Sequence, residues 1–215
     1  MKINGGLRLH DSRAKPLISL LKGWVYAIER YAQTMKGDDA AYYYNERASL
    51  SVLASGAWVS NGIALEEYRN SKGRGNERKI GRADLYVSYR SWDAEFEAKQ
   101  KWMNAAIADV KFRSVVRAAI RSAVSDATKD YAAQAQFGCV FFVPRFCLSR
   151  PRFRNYKSAS EEYISVEIKR YTKLSFVDMW AWCFPVEARE LTVESENSCY
   201  PGVILGLKAA RWWKQ

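Results

Sequence analysis

Two alternating stretches, GRADLYVSYR at 81–90 and WDAEFEAKQ at 92–100, carry the side chains best suited to chemistry. In the first, Ala83, Leu85 and Val87 alternate with Asp84, Tyr86 and Ser88. In the second, Ala94, Phe96 and Ala98 alternate with Glu95, Glu97 and Lys99. A period of two puts each set on one face of a strand. With a tight turn centred between Arg90 and Ser91, Asp84 falls directly across from Glu97. Opposed carboxylates repel each other, an arrangement that calls for a cation between them. Oxygen-only ligands suit a hard ion, Mg²⁺ with Mn²⁺ as the substitute, which keeps several waters and reaches a substrate phosphate. Lys99, two residues beyond Glu97, points to the same face, where it would hold or polarise an attacking water and offset charge in a transition state.

The acid-x-Lys triplet alone is a weak signal. Roughly one or two are expected by chance in a chain of this composition, and this one has four: Glu77-Arg78-Lys79, Glu97-Ala98-Lys99, Asp109-Val110-Lys111 and Glu167-Ile168-Lys169. The triplet at Glu77 falls in a loop and the one at Asp109 in a long helix. The one at Glu167 falls in an expected strand with no acid-bearing strand before it. Only Glu97-Ala98-Lys99 has such a strand before it, a long helix after it and an acid, Glu46, on the inward stripe of an upstream helix. The bland reading stays open beside this one: Asp84 and Glu97 as solvent-facing hairpin residues, Lys99 without a defined partner, and Glu46 as a cap or surface ion pair. Glu66 and Glu67, on the short strand between, compete with Glu46 for the accessory role.

The elements that must position these residues follow from periodicity. Residues 15–34 (KPLISLLKGWVYAIERYAQT) read as a helix opened by Pro16, with Leu17, Leu20, Leu21, Trp24, Ile28 and Tyr31 at helical spacing. A second helix is expected from about Ala40 to Trp58, capped by Asp38 or Asp39. Its inner stripe is Leu50, Leu53, Ala54 and Ala57, and one step of four back from Leu50 reaches Glu46. NGIALEEYR reads as a short strand, NSKGRGNERK as a charged loop, and the hairpin follows. From about Lys101 to Ala133 the pattern is helical, with Phe112, Val116, Ala119, Ile120, Ala123, Ala127 and Tyr131 on one face. FGCVFFVPRF reads as a buried strand, and EEYISVEIKRY, FVDMWAWCFP and GVILGLKAA as further strands. The expected class is α/β, a mixed sheet flanked by helices.

Helix with Glu46, strand, strand GRADLYV, strand EFEAKQ, long helix, strand: this order and these residues resemble the core of the restriction-endonuclease-like PD-(D/E)xK nuclease superfamily. The resemblance covers residues 40–145, with 1–39 as an N-terminal helical extension and 146–215 as a C-terminal extension of the sheet within a single domain. It implies that Asp84 and Glu97 are metal ligands together with the Ala98 carbonyl, that Lys99 is the catalytic lysine, and that Glu46 completes the metal site through water. Gln100 then stands where substrate backbone is touched. Ala83 occupies the place of the signature proline, a departure from the pattern. The implied activity is Mg²⁺-dependent hydrolysis of phosphodiester bonds in nucleic acid, DNA favoured over RNA. A non-catalytic nucleic-acid-binding protein of the same fold is the alternative.

Composition agrees with such a partner. The 215 residues include 34 Lys and Arg against 23 Asp and Glu, a formal charge of +11, which points to a polyanion. Arg113, Arg117 and Arg121 recur every four residues as a basic ridge, or simply a solvated helix face. Arg145 to Lys157 interleaves Arg150, Arg152, Arg154 and Lys157 with Phe146, Phe153 and Tyr156, a mixture suited to phosphates and exposed bases. The tail KAARWWKQ is again basic and aromatic, although its two Trp residues would equally dock on the core. A single histidine, His10, near the N-terminus nearly excludes zinc sites of the HExxH kind, His-metal nucleases and most hydrolytic triads. Cys139, Cys147, Cys183 and Cys199 form no CxxC pair and read as reduced, small apolar residues. No run of residues reaches the length of a membrane span, so a cytoplasmic protein without a membrane partner is expected. A two-fold homodimer is the simplest way to cut both strands of a duplex.

Overall fold

The computed structural model describes residues 3–72, 79–127 and 133–213. Seven strands lie side by side in the order β1 (Gly5–Leu9), β6 (Met179–Cys183), β9 (Val203–Arg211), β5 (Ala135–Cys147), β4 (Trp92–Asn104), β3 (Lys79–Tyr89), β2 (Ile63–Lys72). Two-residue strands β7 (Thr192–Val193) and β8 (Ser198–Cys199) attach at the far end of β5. All neighbours are antiparallel except β4 and β5. That pair is joined by α4 (Asp109–Ala127), since parallel neighbours need a crossover. The result is the expected mixed α/β class, with a largely antiparallel sheet.

Helices cover both faces. On one side α1 (Ile18–Thr34) and α3 (Glu46–Val59) bury Leu20, Leu21, Trp24, Leu50 and Leu53 against Leu85, Phe96 and Phe141. The two helices approach closely at Gly23 and Gly56: a Cβ on Gly23 would lie 2.1 Å from the Gly56 carbonyl oxygen. On the other side α4 and α5 (Tyr156–Thr172) bury Phe112, Val116, Ile120, Ile164 and Ile168 against Val140, Phe142, Trp180 and Ile204. β5, covered on both faces, is buried without a break from Ala135 to Pro144, as a near-continuous apolar run implies.

Several expectations need correction. The second helix is broken: α2 (Ala41–Tyr44) stops at Asn45, whose side chain, not that of Asp38 or Asp39, caps α3 by accepting the Ala48 N–H at 3.0 Å. Glu46 therefore opens α3 in its first turn. β4 continues to Asn104, so the helix begins not at Lys101 but at Asp109; Tyr131 lies outside the described residues. EEYISVEIKRY is part of α5 rather than a strand, with Ile164, Ile168 and Tyr171 inward at helical spacing. β1 had no counterpart in the expected elements. Most of the NSKGRGNERK loop, including Glu77, falls outside the described residues, and its flanks extend β2 and β3.

Candidate active site

The β3–β4 hairpin has the expected register, with Tyr89 opposite Trp92 and Leu85 opposite Phe96. The ladder stops there, one position short of Asp84 and Glu97. On the other side of β3 the β2 ladder also skips this level, passing from Glu66↔Leu85 to Tyr68↔Ala83. The skipped residue, Glu67, is left-handed at φ 46°. A non-glycine residue there costs on the order of 1 kcal/mol or more. Asp84 thus sits where β3 has let go of both neighbours.

Released from its backbone partner, β4 turns to a carboxylate: the Ala98 N–H donates to Asp84 Oδ2 at 2.8 Å. Glu46 lies near enough for the charges of Lys99 and Asp84 to act on its carboxyl. The Ala98 carbonyl shares an edge with its own N–H and so faces the Asp84 side of β4. Gln100 secures the arrangement: its Oε1 accepts from Ser49 Oγ at 2.7 Å and its Nε2 donates to the Tyr42 carbonyl at 3.2 Å. Both ends of this amide are thereby spent on α2 and α3, so Gln100 positions the start of α3 rather than reaching outward.

Glu97 and Lys99 project toward α4. Glu97 is 6% exposed, so it is not a solvated hairpin acid. Lys99 Nζ lies 3.1 Å from Asp126 Oδ2 near the end of α4, both side chains 31% exposed. Burial works against the Lys99 ammonium. The Asp126 hydrogen bond and the charges of Glu46, Asp126 and Asp84 outweigh it and raise its pKa, so Lys99 stays cationic and acts as a donor, not a base. Burial raises the Glu46 pKa; Lys99 opposes the rise and Asp84 adds to it. The thiol of Cys139, beside Ala98 on β5, is pushed far up by burial and then by Asp84, Glu46 and Glu97. Glu46, Asp84, Glu97 and Lys99 thus share one electrostatic neighbourhood.

Asp126 escaped the sequence reading. The signal available was an acid in the last turn of a helix, where the helix dipole disfavours it. Of the competing acids, Glu66 accepts from Ser51 Oγ at 2.8 Å, and Glu67 holds Arg47 at 2.8 Å and Arg82 at 3.1 Å. Both are thus engaged by partners on α3 and β3.

Among the described residues no three His, Cys, Asp or Glu side chains converge closely enough to hold a metal ion. The acids therefore make no closed cage. The donors that could hold a hard ion keeping most of its water are Asp84, Glu97 and the Ala98 carbonyl, since Mg²⁺ is commonly held by one or two carboxylates.

The basic candidates divide. Arg113, Arg117 and Arg121 are exposed on α4, Arg117 stacking on Phe176 at 4.9 Å, and the ridge runs toward Asp126. Arg150, Arg152, Arg154 and Lys157 are exposed beyond the end of β5. There Arg145 pairs with Asn104, five positions past Lys99 and roughly 17 Å along the strand. Phe146, Phe153 and Tyr156 are not available to stack on bases: they form a buried cluster with Ala105 and Cys199. Trp212 and Trp213 dock on Phe137, and Trp213 also meets Trp92. All four cysteines are free thiols. Among the described residues no helix is long and apolar enough to cross a membrane. Comparison with family models, curated proteins and solved structures finds no match for this chain.

Proposed function

We propose that this protein has a restriction-endonuclease-like fold and hydrolyses phosphodiester bonds of nucleic acid, DNA in preference to RNA, with Mg²⁺ or Mn²⁺. The observation that carries the proposal is the break in the β3 ladder at Asp84. It turns the Ala98 N–H to the Asp84 carboxylate, with the buried acid Glu97, Glu46 and a charged lysine close by. Asp84, Glu97 and the Ala98 carbonyl would hold the ion, with Glu46 reaching it through water. When bound, such an ion supplies an activated water and neutralises charge on the phosphate. Lys99, held cationic, orients the nucleophile or a phosphate oxygen, and Asp126 fixes where its ammonium stands. Arg117 and Arg121 lie on the approach along α4 to grip the sugar-phosphate backbone. A two-fold dimer would present two such sites to a duplex.

A second reading, a nucleic-acid binder without cleavage, draws on a specific observation. Lys99 is already paired with Asp126, and among the described residues no three acids converge. Supercoiled plasmid, single-stranded DNA and RNA incubated with Mg²⁺, Mn²⁺ or EDTA separate the two. Cutting that needs the metal supports hydrolysis. Salt-sensitive binding that is equal in EDTA, with no cutting, supports the binder.

A further inference from the structure

At the opposite end of α4 from Lys99, a cavity of about 700 Å³ opens between the start of α4, the turn at Arg152 and the last turns of α5. Its volume falls in the range of small-ligand pockets. Its apolar lining comes from buried Phe112 and Leu174, with the outward-facing Val166 at its side. Its one deeply placed cation is Arg170, stacked on Phe112 at 4.0 Å and 2.8 Å from Asp109. Arg170 Nη1 also lies 3.4 Å from Glu167 Oε1, so both acids that line the cavity are engaged by this one guanidinium. Its Nε–H is buried and has no hydrogen-bond partner among the described residues.

The remaining charge is one-sided. Arg113, Arg152, Lys169 and Lys173 line the same cavity from three separate chain segments, and none has an ion pair among the described residues. Lys169 and Lys173 complement the dipole at the C-terminal end of α5, but that accounts for only two of the four. Cations converging on a concavity over an apolar floor suit a compact anion with an organic part. A nucleic-acid strand would instead ask for charges spread in a line. We infer that the α4–α5 cavity binds a phosphorylated small molecule of nucleotide size through Arg113, Arg152, Lys169 and Lys173. The site is separate from the Asp84 edge and stands whether or not that edge cleaves anything.

The test is titration calorimetry of the full chain with ATP, and separately with inorganic tripolyphosphate, in EDTA at low salt. A carboxylate-lined site without metal repels such anions, so the Asp84 edge stays silent. ATP should bind the wild type and the Lys99→Ala variant alike. In Lys169→Ala/Lys173→Ala it should bind at least about tenfold more weakly, the cost of losing even one charge-assisted contact. Both lysines are exposed, so the double variant keeps its fold, which thermal melting checks. Weaker but measurable tripolyphosphate binding, lost in the same variant, also supports the site. The inference is overturned if neither anion binds or if the double variant binds like the wild type.

Discussion

Replacing Glu167 by glutamine should change how stability depends on pH, and the structure fixes the sign. Glu167 is 3% exposed on the inner side of α5. Burial pushes its carboxyl up from 4.5 to about 7, against the opposing pull of Arg170. A carboxyl whose folded-state pKa is raised binds more protons in the folded than in the unfolded chain between those two values. Its stabilising contribution is therefore complete below pH 4.5 and is lost as pH rises through about 7. At 1.36 kcal/mol per unit, the full loss is on the order of 3 kcal/mol, most of it incurred by pH 7. The Glu167→Gln side chain keeps the shape and the acceptor toward Arg170 but does not ionise. Urea unfolding followed by tryptophan fluorescence at pH 5, 6, 7 and 8 measures the difference between variant and wild type, and groups common to both proteins cancel. The advantage of Glu167→Gln should grow by roughly 2–3 kcal/mol from pH 5 to pH 8. A difference that stays flat with pH would refute the reasoning. A variant that loses stability at pH 8 would show instead that the charged pair with Arg170 outweighs burial.

Three further outcomes follow from packing and charge. Gly138→Ala would set a Cβ 2.4 Å from the Val124 backbone nitrogen. The clash is with backbone, so α4 must shift, and the cost should be about 1–3 kcal/mol in unfolding free energy together with loosening of the Lys99–Asp126 contact. Asp126→Asn should cost less than about 1 kcal/mol, as expected for a half-exposed pair, yet lower metal-dependent cleavage at least tenfold by freeing the Lys99 ammonium. Equal cleavage rates would remove Asp126 from the site. Phe153→Ala should lower stability by about 3–5 kcal/mol, because the ring is buried against Phe146 and Tyr163. A variant that melts like the wild type but binds nucleic acid weakly would restore the stacking role that its burial argues against.

The hairpin is legible because a two-residue turn at Arg90–Ser91 fixes register, and register alone brings Asp84 to the level of Glu97. Glu46 stands out as a carboxylate in line with Leu50. What places it at the site is Asn45, whose cap starts α3 at Glu46. The failures have physical causes. In α5, Ile164, Val166 and Ile168 alternate with polar residues as a strand would, while only Val166 turns outward; tertiary packing selects the helical period. The end of β4 carries Trp102, 54% exposed, beside buried Met103, and no turn residue before Asn104 marks where the strand stops. β1 begins with two glycines, poor strand formers. Gly6 is required because the Trp182 ring would lie 2.4 Å from any Cβ placed there. The left-handed Glu67 and the double release of β3 at Asp84 are properties of the assembled sheet, and no local pattern announces them.

The most direct measurement is the rate of plasmid nicking and linearisation by wild type and Lys99→Ala in Mg²⁺, with folding checked by thermal melting and DNA binding by a salt titration. The half-exposed Lys99 pair contributes at most about 1 kcal/mol to stability, so the variant should melt and bind DNA nearly as the wild type does. Its cleavage should fall at least about a hundredfold, the usual scale for losing one electrostatic contact to the reacting group. Wild-type cleavage that persists undiminished in Lys99→Ala would contradict the assignment of this edge as the catalytic site.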